Sequence, residues 1–163
     1  MRVGAGGQSS VAGVLRRSHG WLELGSPTEA YEELEKLPDS LHTTREVLKL
    51  KCNILTAAQN WRELRVMAST AAMYFPNDPA FGEDWAWAEH KQGQTAQAYS
   101  ILVQASQKYE KTWRTAYYLS CFTYALKRVR ESTEWLSLAL LLHPAPNQLR
   151  QRAVREEDFA AKA

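Results

Sequence analysis

The sequence predicts an all-α protein, a solenoid of about four 34-residue helix-turn-helix units ending in a C-terminal capping helix. Three observations carry that expectation. Turn-forming stretches around Gly25, Gln59, Gly93 and Lys127 recur every 34 residues without insertion or deletion, and a fixed period of about 20–50 residues marks stacked repeats. In the same frame small or aliphatic residues align: Ala30, Leu64, Ala98 and Ser132; Leu34, Ala68, Leu102 and Leu136; Leu37, Ala71, Ala105 and Ala139. Between these breaks apolar residues recur at spacings of three and four, and strand alternation is absent.

Taken in order, residues 1–10 are rich in Gly and Ser and are expected to be a flexible tail. The units occupy 11–44, 45–78, 79–112 and 113–144, and 145–163 supplies the capping helix and a tail. The first helix of the first unit is the weakest, because Gly13 and Gly20 each cost about 1 kcal/mol relative to Ala. Its second helix starts at Ser26-Pro27-Thr28-Glu29, which offers a capping hydroxyl, a first-turn proline and a reciprocating carboxylate. Thr43-Thr44-Arg45-Glu46 and Asn60-Trp61-Arg62-Glu63 repeat the scheme. Asp78-Pro79 opens the third unit in the same manner, whereas the starts near Gln94 and Val129 have weaker caps. Pro76 and Pro144 close the second and fourth units, since proline stops a helix. Beyond them, Leu149, Ala153 and Val154 among Arg, Gln and Glu suit a terminal helix with one wet face.

Composition narrows the function. A chain of 163 residues is enough for one domain with an apolar core, and 45% hydrophobic with 23% charged residues is ordinary for a folded protein. The formal net charge of +2 is too mild to imply nucleic acid. Lys127, Arg128 and Arg130, with Arg150, Arg152 and Arg155, read as a solvated basic end. Cys52 and Cys121 stand at no redox or metal-ligand spacing, which fits a reducing, cytoplasmic setting. His19 and His90 lack a second ligand at a zinc-binding offset, so no metal is expected, and no cofactor. Residues 11–15 are too short for a signal-peptide core, and every apolar run falls below the roughly 20 residues that cross a bilayer. Nucleophile-base pairs and phosphate-cradling Gly loops are missing too, and no enzyme is expected.

The unbroken period, the turns Lys91-Gln92-Gly93 and Phe75-Pro76-Asn77-Asp78-Pro79, and the small residues Ser18, Cys52, Ala86 and Ser120 make residues 11–144 resemble the tetratricopeptide repeat family. The chain is similar in general layout to compact bacterial members. It departs at the family's first-helix Trp position, which holds Val14, Leu48, Gly82 and Ala116. The resemblance implies a concave surface lined by the first helix of each unit. Carried over one position at a time, that surface takes Leu15, His19, Leu22, Lys49, Asn53 and Thr56, then Glu83, Trp87, His90, Arg114, Tyr117, Cys121 and Tyr124. The expected peptide-binding groove is Lys49, Asn53, Glu83, Trp87, His90, Arg114, Tyr117, Cys121 and Tyr124. Trp85, Trp113 and Trp135 lie at other phases and are as readily core.

Family members that clamp a chaperone's C-terminal carboxylate use Lys, Asn, Asn, Lys, Arg. Here the set is Lys49, Asn53, Asp84, Arg114 and Tyr118, and an Asp in an anion clamp repels its ligand. The function implied is therefore a protein-interaction scaffold with a peptide or protein partner, and the alternative is a secretion-type chaperone resembling the small tetratricopeptide chaperones of type III systems. Self-association through an exposed groove stays open.

Overall fold

Helix follows helix through residues 10–155, the part of the chain described by this computed structural model. The tail expected over 1–10 lies outside the described residues except for Ser10, as does everything after Arg155. The helices are α1 Val11–Glu23, α2 Pro27–Glu35, α3 Arg45–Ala57, α4 Trp61–Tyr74, α5 Pro79–Lys91, α6 Thr95–Ala105, α7 Trp113–Ala125, α8 Val129–Leu142 and α9 Pro146–Arg155. Short 3₁₀ turns follow α2 at Asp39–Leu41 and α6 at Ser106–Lys108, and no strand occurs among the described residues.

The four equivalent turn positions share one backbone state. Gly25 (φ 76°), Gln59 (φ 54°), Gly93 (φ 84°) and Lys127 (φ 65°) are all left-handed. In each case the amide of that residue donates three residues back and the next amide donates five back. Gly25 N reaches Leu22 O at 3.0 Å and Ser26 N reaches Trp21 O at 2.9 Å, and Lys127 N and Arg128 N reach Tyr124 O and Thr123 O at 2.9 and 2.8 Å. Gln59 with Asn60, and Gly93 with Gln94, make the same pair of bonds. Each is a Schellman motif, which satisfies the last carbonyls of one helix while reversing the chain toward the next.

Capping differs from the expectation at two starts. Ser26 and Thr44 make no side-chain cap hydrogen bond. Ser26 already closes the Schellman turn, and its φ of −113° and ψ of 72° depart from the extended geometry a capping hydroxyl needs. Gln94 and Arg128, at the same place in their turns, also lack a side-chain cap. Thr44 instead turns its hydroxyl back to donate to Leu41 O at 2.7 Å. Ser10, Asp78 and Thr112 do cap, accepting from Gly13 N, Ala80 N and Thr115 N at 3.1, 3.0 and 3.0 Å.

The chain divides into two compact units, Met1–Asn60 and Trp61–Ala163, a boundary that falls inside the stretch 45–78. In the first unit Val14, Ala30, Leu34, Leu37, Val47, Leu50 and Ile54 form the core. Helices α1 and α2 touch through Ser18, whose hydroxyl donates to Ala30 O at 2.7 Å. Glu33 is held by Arg17 at 3.0 Å and by Lys36, and these bonds, that from Lys36 foremost, lower its carboxyl below the usual range against the effect of burial. Lys51 is buried, with Nζ 2.8 Å from His42 Nδ1 and 3.7 Å from Glu35, above the Tyr31 ring. His42 Nε2 lies 3.0 Å from Leu37 O, which only accepts, so Nε2 carries the proton and Nδ1 receives the Lys51 bond.

In the second unit the core joins Ala86, Trp87, Ala98, Leu102, Ala116, Tyr117, Leu119 and Phe122 to Leu149 and Ala153 of α9. Helices α7 and α8 meet as α1 and α2 do, with the serine on the other helix. Ser132 Oγ donates to Ser120 O at 2.8 Å, and Ser120 and Ser132 stand three periods after Ser18 and Ala30. Small side chains permit this close approach, and Ser18, Cys52, Ala86 and Ser120 are all wholly buried. The three aligned columns are buried throughout except at Leu136 and Ala105, which are half-buried.

Candidate functional site

The expected inward positions fall into two classes. In the first unit Lys49 and Asn53 of α3 are half-buried, as are Leu15, Leu22 and Thr56, and His19 is exposed. In the second unit Arg114 and Tyr124 are half-buried, whereas Glu83, Trp87, His90, Tyr117 and Cys121 are buried, the last two completely. A side chain with no accessible surface cannot line a groove. Tyr117 and Cys121 are therefore core in this conformation, and Glu83, Trp87 and His90 offer only a few per cent of their surface.

The cause is packing on both sides. Helix α5 meets α7 through an aromatic stack in which Trp87 lies 4.5 Å from Tyr118 at 21° and 6.2 Å from Phe122. His90 fits beside them, 5.3 Å from Trp87 and 5.0 Å from Phe122. Tyr118 and Phe122 were not among the expected inward residues. Each follows one of them directly, and the signal that finds them is their 3.6-residue phase with Thr115, buried on the same side. On α7's other flank the Arg152 guanidinium of α9 sits 5.2 Å above the Tyr117 ring, so the capping helix covers a surface that an unended repeat array leaves open.

Charge is organised inside this packing. Arg114 Nη2 donates to Asp84 Oδ1 at 3.0 Å, its Nη1 lies 3.7 Å from Glu83 Oε2, and its Nε donates to the Tyr118 hydroxyl at 3.1 Å. Glu83 Oε1 also accepts from Thr112 and Thr115 at 2.6 and 2.7 Å. Burial opposes the guanidinium's charge, but Tyr118, Asp84 and Glu83 outweigh it and hold Arg114 firmly protonated. Burial also raises the Tyr118 phenol and pushes that of Tyr109 up to about 12. Arg114 and Asp84, which stand at two of the carboxylate-clamp positions, are thus bonded to each other.

Elsewhere in this unit a cleft of about 410 Å³ opens between the C-terminal ends of α4 and α6. Met73, Phe75, Trp85 and Ile101 wall it, Gly82 floors it, and Asp78, Gln104 and Lys108 stand among its lining. Trp85 faces this cleft and is half-buried. Among the described residues, no group of three or more His, Cys, Asp or Glu is placed to hold a metal, and no helix is long and apolar enough to cross a membrane.

A solved structure resembles this arrangement. A tetratricopeptide repeat protein from Parabacteroides merdae ATCC 43184 superposes with a TM-score of 0.74 over 88% of this chain and 56% of its own, at 12% identity. The fold is of the tetratricopeptide type. No family model and no curated protein matches the sequence. At this identity the likeness speaks for architecture alone. The tetratricopeptide architecture accounts for the 34-residue frame and for the small residues at the hairpin contacts, and the chain spans little more than half the length of that neighbour.

Proposed function

We propose that this chain is a protein-interaction scaffold that takes a peptide or protein segment on the inward positions of its first helices. Each unit offers its own contacts, Lys49 and Asn53 in the first taken by itself and Arg114 and Tyr124 in the second taken by itself. Glu83, Trp87, His90, Tyr117 and Cys121 act beneath them as support. The observation that carries this reading is the fixing of Arg114. Its side chain retains 29% of its surface, yet two carboxylates, the Tyr118 hydroxyl and the Tyr118 ring 5.3 Å away leave it little rotational freedom. A guanidinium held in place and partly exposed meets a backbone or side-chain oxygen with little entropy left to lose. Asn53 and Tyr124 add amide and phenol groups of the kind that satisfy a peptide backbone.

The secretion-chaperone alternative gains no support from the geometry. The test is selection from a peptide library on the purified monomeric chain beside Asn53→Ala/Tyr124→Ala, with both shown to be folded by circular dichroism. A shared motif enriched by the native chain and lost with the variant supports the inward surface. Equal enrichment by both chains refutes it.

A further inference from the structure

We propose that the cleft between the ends of α4 and α6 is a second docking site, which seats one large apolar side chain of a partner polypeptide that carries a carboxylate beside it. The proposal rests on the reading that this chain binds polypeptides, and adds a surface and a partner chemistry. At about 410 Å³ the cleft lies within the range of roughly 300–1,000 Å³ typical of binding sites. Its walls are apolar and one of them is held in place. Trp85 Nε1 donates to Glu89 Oε1 at 3.2 Å, and Arg65 holds the same carboxylate oxygen at 3.1 Å, so the indole's polar end is engaged while its ring borders the cleft.

The floor is a close contact between two helices. Gly82 stands where the other first helices carry Val14, Leu48 and Ala116, and a Cβ on it would meet Ala105 Cβ at 2.9 Å. Gly82 thus lets α5 and α6 meet closely along one side of the cleft, and any side chain there must part them. Met73, 82% exposed, stands at the mouth, and Met adapts its shape to a guest.

Two features choose the occupant. Val66, seven residues before Met73 on the same face of α4, and Tyr74 are also exposed, so further apolar side chains stand near the cleft for a polypeptide segment to meet. An acyl chain needs a channel that encloses it. Charge then selects an acidic segment. Lys108 is exposed and makes no ion pair among the described residues, whereas the Asp78 carboxylate already accepts from Ala80 N at the positive start of α5.

The test uses a fluorescein-labelled decapeptide with one Phe between two Glu, titrated against the full chain by anisotropy. Companion peptides replace Phe by Ala, or both Glu by Lys. The chain variants are Met73→Glu and Lys108→Glu, both at exposed positions that leave folding intact. Expected are saturable binding by the Phe/Glu peptide, roughly tenfold weakening by Met73→Glu or by loss of the Phe, and a reversal of preference toward the Lys peptide with Lys108→Glu. Absence of binding at millimolar peptide overturns the proposal, as does binding that neither variant changes. Decanoate that binds in a Met73-dependent way when the peptide does not makes the site a small-molecule pocket and also overturns it. If the library motif is lost with Asn53→Ala/Tyr124→Ala while the Phe/Glu peptide shows no Met73-dependent binding, the inward surface stands and the cleft fails.

Discussion

Lys127 is a lysine in a conformation that glycine adopts without cost. Its φ of 65° places its Cβ against its own backbone, which costs an L-residue about 1–2 kcal/mol. Replacing it with Gly removes that strain but restores about 0.5–1 kcal/mol of backbone freedom to the unfolded chain. The net expectation for Lys127→Gly is stabilisation by about 0.5–1 kcal/mol. Gly93 occupies the same place in its own turn with φ 84°, and a Cβ there meets nothing within 4 Å. Gly93→Ala therefore introduces backbone strain and no clash, and is expected to destabilise by about 1 kcal/mol. Both positions lie in the second unit, so one transition reports both.

For a unit of about 100 residues each kcal/mol moves Tm by about 4–8 °C, so Lys127→Gly should raise it by about 2–8 °C and Gly93→Ala lower it by about 4–8 °C. The assay is thermal and urea unfolding followed by tryptophan fluorescence. Five of the six tryptophans, Trp61, Trp85, Trp87, Trp113 and Trp135, belong to the second unit. Lys127→Ala is the control, since it removes the charge and keeps the strained conformation. A gain for Lys127→Ala equal to that for Lys127→Gly, or no loss for Gly93→Ala, would refute the reasoning.

Three further outcomes follow from the packing and the charges. Gly82→Ala, although it improves helix propensity, is expected to cost about 1–3 kcal/mol in urea melts because of the 2.9 Å approach to Ala105 Cβ. Arg114→Met leaves Glu83 and Asp84 buried without their cation, and should destabilise by about 3 kcal/mol, with part of the loss recovered in Arg114→Met/Asp84→Asn. Glu33 has its folded pKa lowered from 4.5, so its contribution is present above that value and lost as pH falls through the lower folded one. The stability gap between the native chain and Glu33→Gln should therefore narrow on acidification below pH 4.5; a gap constant down to pH 3 would contradict the Lys36 and Arg17 pairing.

Local chemistry was legible in the sequence wherever a few neighbouring residues decide the outcome. The turns at Gly25, Gln59, Gly93 and Lys127 share the left-handed state because the position of a helix end, and not the residue type, sets it; two of the four have no glycine. The caps at Ser26 and Thr44 misled, because a hydroxyl with two backbone options is settled by the turn before it. The candidate surface was legible only in part. Helical phase placed Glu83, Trp87, His90, Tyr117 and Cys121 on one side of α5 and α7 but was blind to what lies against that side.

By itself the sequence determined the all-helical class, the 34-residue frame and the close hairpin contacts at Ser18 and Ser120, since period and side-chain size are properties of the chain read in order. Tertiary structure alone decided that Tyr118 and Phe122 fill the space beside Trp87, that Arg152 of α9 covers Tyr117, and that a cleft opens between the ends of α4 and α6. Each of these depends on which distant helix packs against a given face. Burial is a property of pairs of surfaces, and residue order specifies only one member of each pair at a time.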